Sequence, residues 1–110
     1  MVVVGTSGTN NALNGTAGAN LILGLGGNDR LNGLDGNDLL CGGSGKDTIN
    51  GGNNDDMLDG DIGKDTLNGG AGNDSLTGGA NADFFSGGAG NDTATDFNAG
   101  QGDTQDGTIP

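Results

Sequence analysis

One apolar side chain returns every ninth position along most of this chain, without a slip in register. The series is Leu13, Ile22, Leu31, Leu40, Ile49, Leu58, Leu67, Leu76, Phe85 and Ala94, with Val4 one period earlier. Two residues before each member stands an acid or its amide: Asn11, Asn20, Asp29, Asp38, Asp47, Asp56, Asp65, Asp74, Asp83 and Asp92. Five residues before those comes a glycine, at Gly15, Gly24, Gly33, Gly42, Gly51, Gly60, Gly69, Gly78 and Gly87. A strict short period means one structural unit stacked on itself.

Counted in nines from Thr6, ten units end at Thr95, and Gly69-Gly70-Ala71-Gly72-Asn73-Asp74-Ser75-Leu76-Thr77 is among the clearest. The fourth position is Gly in seven units, Asn at Asn54 and Asn81, and Thr at Thr9. Gly and Asn accept positive φ most easily, so this position is expected to be left-handed. The first six residues then form a tight turn and the last three a short strand. In that strand the eighth position faces inward, and the seventh and ninth face out.

One inward residue per unit cannot hold a hairpin. It suffices if two units close each coil of a flattened spiral, giving about 18 residues per coil. The expected fold class is all-β: a right-handed parallel β-roll, or β-solenoid, of two short parallel sheets. One sheet lines up Leu13, Leu31, Ile49, Leu67 and Phe85. The other lines up Val4, Ile22, Leu40, Leu58, Leu76 and Ala94. The expected organisation is an N-terminal cap over residues 1–5, the ten-unit roll over 6–95, and a closing segment and tail over 96–110.

Glycine supplies 27 of 110 residues, which without the period would suggest a linker or disorder. Charge changes the picture more. The net charge is −12, every one of the fifteen acids is Asp, and His is absent. Such a surface repels nucleic acid and anionic membranes and calls for a cation. Without His the chain lacks the commonest general base and transition-metal ligand. No stretch approaches the ~20 apolar residues of a membrane span, and residues 1–5 do not read as a secretory signal peptide. Cys41 stands alone, so no disulfide framework is expected.

Stacking sets Asn11, Asp29, Asp47, Asp65 and Asp83 along one edge and Asn20, Asp38, Asp56, Asp74 and Asp92 along the other. Carboxylates one strand spacing apart repel unless a cation sits between them. An isolated Asp beside Gly is explained by an Asx turn, but eight in register with three bases are not. Ca²⁺ takes six to eight oxygen ligands, and glycine-rich turns leave carbonyls bare.

The motif G-G-x-G-x-D-x-U-x, with U apolar, resembles the calcium-binding nonapeptide of RTX (repeats-in-toxin) proteins across residues 6–95. The resemblance implies Ca²⁺ held between turns by Asp29, Asp38, Asp47, Asp56, Asp65, Asp74, Asp83 and Asp92 together with loop carbonyls. Adjacent Asp pairs give three sites per edge and about six ions in all. Asn11 and Asn20 lack the charge, so the first coil should bind weakly or cap the stack. The resemblance also implies a structural module of an exported bacterial protein, secreted by the type I route and folding on meeting calcium outside the cell. A core one residue deep leaves such folding dependent on the ion.

Neither H-E-x-x-H nor G-x-S-x-G occurs, so no enzymatic role is expected of this chain. The alternative is a calcium-dependent adhesin or ice-binding face built on the outer Asn/Thr rows. Asn14, Asn32, Asn50 and Asn68 form such a row, expected to hydrogen-bond to itself. On the other sheet Leu21, Leu23, Leu39 and Met57 face outward and suggest docking to another domain or copy.

Overall fold

The computed structural model describes residues 1–9 and 12–109. Turn glycines alternate with three-residue apolar-centred segments, and the chain winds into two parallel sheets facing each other across one row of side chains. The first contains β1 (Val2–Val4), β3 (Leu21–Leu23), β5 (Leu39–Cys41), β7 (Met57–Asp59), β9 (Ser75–Thr77) and β11 (Thr93–Ala94), in that spatial order. The second contains β2 (Leu13–Asn14), β4 (Arg30–Asn32), β6 (Thr48–Gly52), β8 (Thr66–Ala71), β10 (Phe84–Ala89) and β12 (Thr104–Gln105). Odd strands build one sheet and even strands the other, as a spiral of two strands per coil requires.

Pairings such as Leu31↔Ile49, Ile49↔Leu67 and Leu40↔Leu58 fix each coil at two units of the repeat. Ile22, Leu31, Leu40, Ile49, Leu58, Leu67, Leu76 and Phe85 are wholly buried between the sheets. Val3, Leu13, Ala94 and Ile109 pack against them from the ends.

The first coil departs from the expected register. Val3, not Val4, pairs with Ile22 and turns inward, while Val4 is 53% exposed. This coil carries an extra residue, because Gly5 rather than Thr6 takes the opening position. The Gly5 N–H donates to the Leu23 carbonyl as the Gly24 N–H donates to Cys41. Val2-Val3-Val4 is apolar at every position, so alternation could not choose between its faces. The last coil lengthens too, since β12 meets β10 with Phe84 opposite Thr104 and Phe85 opposite Gln105.

After β11 the chain closes the C-terminal end. Phe97 stands edge-on to Phe85 with ring centroids 5.7 Å apart. The Gln101 side-chain amide donates to the Gly79 and Asn81 carbonyls at 3.0 and 2.7 Å.

Outside the second sheet, the amides of Asn32, Asn50 and Asn68 each donate to the Asn one coil earlier at 2.9 Å. This is the self-bonded Asn ladder expected from the sequence. On the first sheet Leu39 and Met57 are exposed, and Leu21 and Leu23 are half-buried.

Candidate metal centres

From Gly24 onward the turns are shaped by three glycine positions, one for want of room and two for left-handed backbone. At the first, a side chain would strike the carboxylate of its own unit: a Cβ on Gly42 would lie 2.5 Å from Asp47 Oδ2, and one on Gly51 would lie 2.6 Å from Asp56 Oδ2. The fourth position has positive φ, as expected, at Gly27, Gly36, Gly45, Asn54, Gly63, Gly72, Asn81 and Gly90, but not at Thr9 or Gly18 in the first two units. The second position is left-handed as well, which the sequence reading missed. Gly43, Gly52, Gly70, Gly79 and Gly88 adopt it freely, while Leu25, Leu34 and Asp61 are held there at φ 75°, 76° and 71°. Those three non-glycine residues hid the rule.

These turns aim the sixth-position aspartates inward along the two edges. All eight predicted residues, Asp29, Asp38, Asp47, Asp56, Asp65, Asp74, Asp83 and Asp92, are buried, at 2–4% exposure. One oxygen of seven of these carboxylates links successive coils. Oδ1 of Asp47, Asp65 and Asp83 accepts the backbone N–H of Asp29, Asp47 and Asp65 at 2.8–2.9 Å. On the opposite edge Oδ1 of Asp38, Asp56, Asp74 and Asp92 accepts from Asn20, Asp38, Asp56 and Asp74 at 2.7–2.9 Å.

The second oxygen does nothing comparable. Oδ2 of Asp38, Asp47, Asp56, Asp65, Asp74, Asp83 and Asp92 is buried with no hydrogen-bond donor. A buried carboxylate oxygen without donor or cation is among the costlier arrangements in a protein. Burial accordingly pushes the carboxyls up: Asp47, Asp74 and Asp83 to about 6, Asp56 to about 7 and Asp65 to about 8. The accepted backbone N–H offsets part of this, and neighbouring carboxylates add to it, such as Asp47 and Asp83 around Asp65. Asp38 is raised for the same leading reason. Cations in these rows would satisfy the orphaned oxygens, so the residues fit a hard, oxygen-seeking ion.

Among the described residues no three acidic, His or Cys side chains converge on one point. The carboxylates stand one per coil, so an ion here must draw further oxygens from turn carbonyls, as Ca²⁺ does readily. Asn20 shows what a member without charge does. Its side-chain Oδ1 accepts the Thr16 N–H at 2.7 Å and its amide donates to the Thr16 hydroxyl at 3.0 Å, so it satisfies its own turn. Asn11 lies outside the described residues.

Two acids escaped the sequence reading. Asp103 is 5% exposed and continues the first edge, its Oδ1 accepting the Asp83 N–H at 2.9 Å. The longer last coil hides it from a count in nines. Asp96 receives the N–H groups of Gly78 and Gly79 at 2.8 and 2.7 Å and ties down the last turn of its edge.

No curated protein and no solved structure matches the chain. The family model of the RTX calcium-binding nonapeptide repeat (4 copies) matches residues 5–40, 35–67 and 59–94. That span opens at Gly5, the residue that stacking places at the head of the first unit. Buried aspartates in two rows, glycine turns and a coil of two units thus coincide with the family match, and the chain belongs to the RTX calcium-binding nonapeptide repeat family.

Proposed function

We propose that this chain is a calcium-folded structural module, in which Asp29, Asp38, Asp47, Asp56, Asp65, Asp74, Asp83 and Asp92 hold the ions together with turn carbonyls. The observation that carries the reading is the row of buried Oδ2 atoms without donors, one per coil on each edge. A bound divalent ion supplies charge compensation and further coordination there. The protein's own contribution is to hold the carboxylates in register through their Oδ1 bonds and to expose carbonyls through the left-handed turns.

Adjacent aspartate pairs set the count at about six ions, and the Asp83–Asp103 pair adds a candidate. Six divalent ions carry as much positive charge as the chain's net −12. In the metal-free state the repulsion and desolvation fall on a core one side chain deep, so binding to the folded form becomes folding free energy. Such a chain stays loose where calcium is scarce and folds where it is abundant, which suits export from a bacterial cell by the type I route.

No catalytic role is assigned to this chain. The Asn14–Asn68 row commits its amides to neighbouring Asn side chains, so the structural reading of that face is preferred to an adhesive or ice-binding one.

Isothermal titration with calcium, followed by far-ultraviolet circular dichroism, tests the proposal. Calcium at millimolar levels should convert a largely disordered chain cooperatively to β structure, and Asp65→Asn should raise the midpoint. Equal β signal with and without calcium at neutral pH overturns it.

A further inference from the structure

The row Asp38, Asp56, Asp74 and Asp92 has a second row outside it. The fifth position of the units on that edge carries Asn37, Asp55, Asn73 and Asn91, which link coils in the opposite sense to the sixth position. Asn37 Oδ1 accepts the Asp55 N–H at 3.0 Å, Asp55 Oδ1 accepts the Asn73 N–H at 2.8 Å, and Asn73 Oδ1 accepts the Asn91 N–H at 2.9 Å. Both rows line one groove along the edge. Asp55 is the one acid among these four, and its bond carries the side chain towards the coil that holds Asp74. That bond needs only an oxygen, since Asn37 and Asn73 make the same one. The charge of Asp55 is surplus to it.

The surplus charge bears on the aspartate row. Burial chiefly raises the Asp56 and Asp74 carboxyls, and the Asp55 carboxylate adds to the rise at both. Asp56 and Asp74 are 4% and 3% exposed, and Oδ2 of each lacks a donor. Asp35 bears on Asp38 alone of its pair. Bases fall on the other edge: Arg30, Lys46 and Lys64 adjoin Asp29, Asp47 and Asp65, and no Lys or Arg adjoins Asp38, Asp56, Asp74 or Asp92. Asp61 bears on Asp47 and Asp65 as Asp55 bears on Asp56 and Asp74, but the two lysines outnumber it there.

We propose that the gap between Asp56 and Asp74 is the strongest cation site of the roll, tuned by Asp55, whose carboxylate gives it a third negative charge. This rests on the calcium reading of the aspartate rows. Asp55 is exposed and commits one oxygen to Asn73, so it acts through its field. A unit charge beside a ligand near the surface should change affinity about fivefold per unit of ion charge. The site should therefore discriminate by charge as well, favouring a trivalent ion over Ca²⁺ about fivefold more than a pair of carboxylates does.

Terbium is the probe, since Tb³⁺ seeks oxygen ligands as Ca²⁺ does and carries one more charge. Crystals of the calcium-loaded protein are soaked in substoichiometric Tb³⁺, and anomalous diffraction at the terbium edge gives the occupancy of each position. Terbium should be richest between Asp56 and Asp74, about fivefold above the Asp74–Asp92 pair. Asp55→Asn should level the two. The Asn37→Asp/Asp55→Asn exchange keeps the net charge and every Oδ1 bond, and should move the peak to Asp38–Asp56. In solution, Asp55→Asn should lower Tm in calcium and the exchange should recover it. Terbium spread evenly in the wild type, or still richest at Asp56–Asp74 in Asp55→Asn, overturns the proposal. Aspartate rows that take up no ion at all instead overturn the calcium reading.

Discussion

In the absence of calcium, acid should fold this protein and neutrality should unfold it, the reverse of ordinary acid denaturation. The sign follows from the direction of the shifts. Asp47, Asp56, Asp65, Asp74 and Asp83 titrate near 3.8 in the unfolded chain and at about 6 to 8 in the metal-free roll. A raised carboxyl contributes stability that is fully present below 3.8 and is lost as pH climbs through its folded value. Within that window each carboxyl removes about 1.4 kcal/mol per pH unit. Asp65, with its folded value at about 8, sets an upper bound of about 5 kcal/mol lost by pH 7.5, reduced by the screening of solvent that reaches the row. Near pH 5 all five shifts act in the same direction, and the carboxylates of each row titrate as a coupled set, so their losses reinforce one another as pH rises.

The assay is far-ultraviolet circular dichroism of calcium-depleted protein between about pH 4 and pH 8, with a calcium titration at each pH. We expect β signal without calcium near pH 4, its loss by neutrality, and its recovery with calcium. Calcium needs the ionised carboxylates, so its midpoint should climb as pH falls below about 6. About 1 M NaCl separates the buried rows from the general net charge: it screens surface repulsion but should not restore the roll at pH 7.5. A calcium midpoint independent of pH, or full rescue by NaCl, would refute the reasoning.

Replacing a left-handed leucine should stabilise the roll: Leu34→Gly relieves φ 76° at an exposed site, and we expect about 1 kcal/mol more stability, read as a higher Tm in calcium. Leu58→Ala empties a wholly buried position and should cost about 2–4 kcal/mol by the same measurement. Gly60→Ala drives a Cβ to 2.5 Å from Asp65 Oδ2 and 2.8 Å from the Gly78 carbonyl, so it should raise the calcium midpoint and lower Tm. Gly8→Ala, whose nearest neighbour would be the Thr6 hydroxyl at 3.9 Å, should change neither.

How much of this was legible in the sequence depends on what fixes each residue. The inward row from Ile22 to Phe85 and the eight aspartates were readable because stacking forces every coil to repeat its neighbour, so one correct unit dictates the rest. The fold failed to follow the count where that constraint lapses. At the N-terminus an all-valine strand gives alternation no foothold, and Val3 takes the inward place expected of Val4. At the C-terminus the closing segment needs room for Phe97 and Gln101, so Asp103 joins the row out of step with the repeat.

The second glycine position adds a subtler lesson. Its conformation is tied to the neighbouring coil, since the Leu25 carbonyl accepts the Ser44 N–H at 2.8 Å and the Leu34 carbonyl accepts the Asn53 N–H at 2.9 Å. Leu25, Leu34 and Asp61 adopt the same φ and accept the strain. A backbone held left-handed against its residue's preference is being held by its neighbours in the stack. The period is thus enforced by backbone packing between coils as well as by side-chain chemistry, and it persists where glycine is lost. That is why the carboxylates stay in line through imperfect units, and why their orphaned oxygens fall one per unit at the sixth position from Asp38 to Asp92.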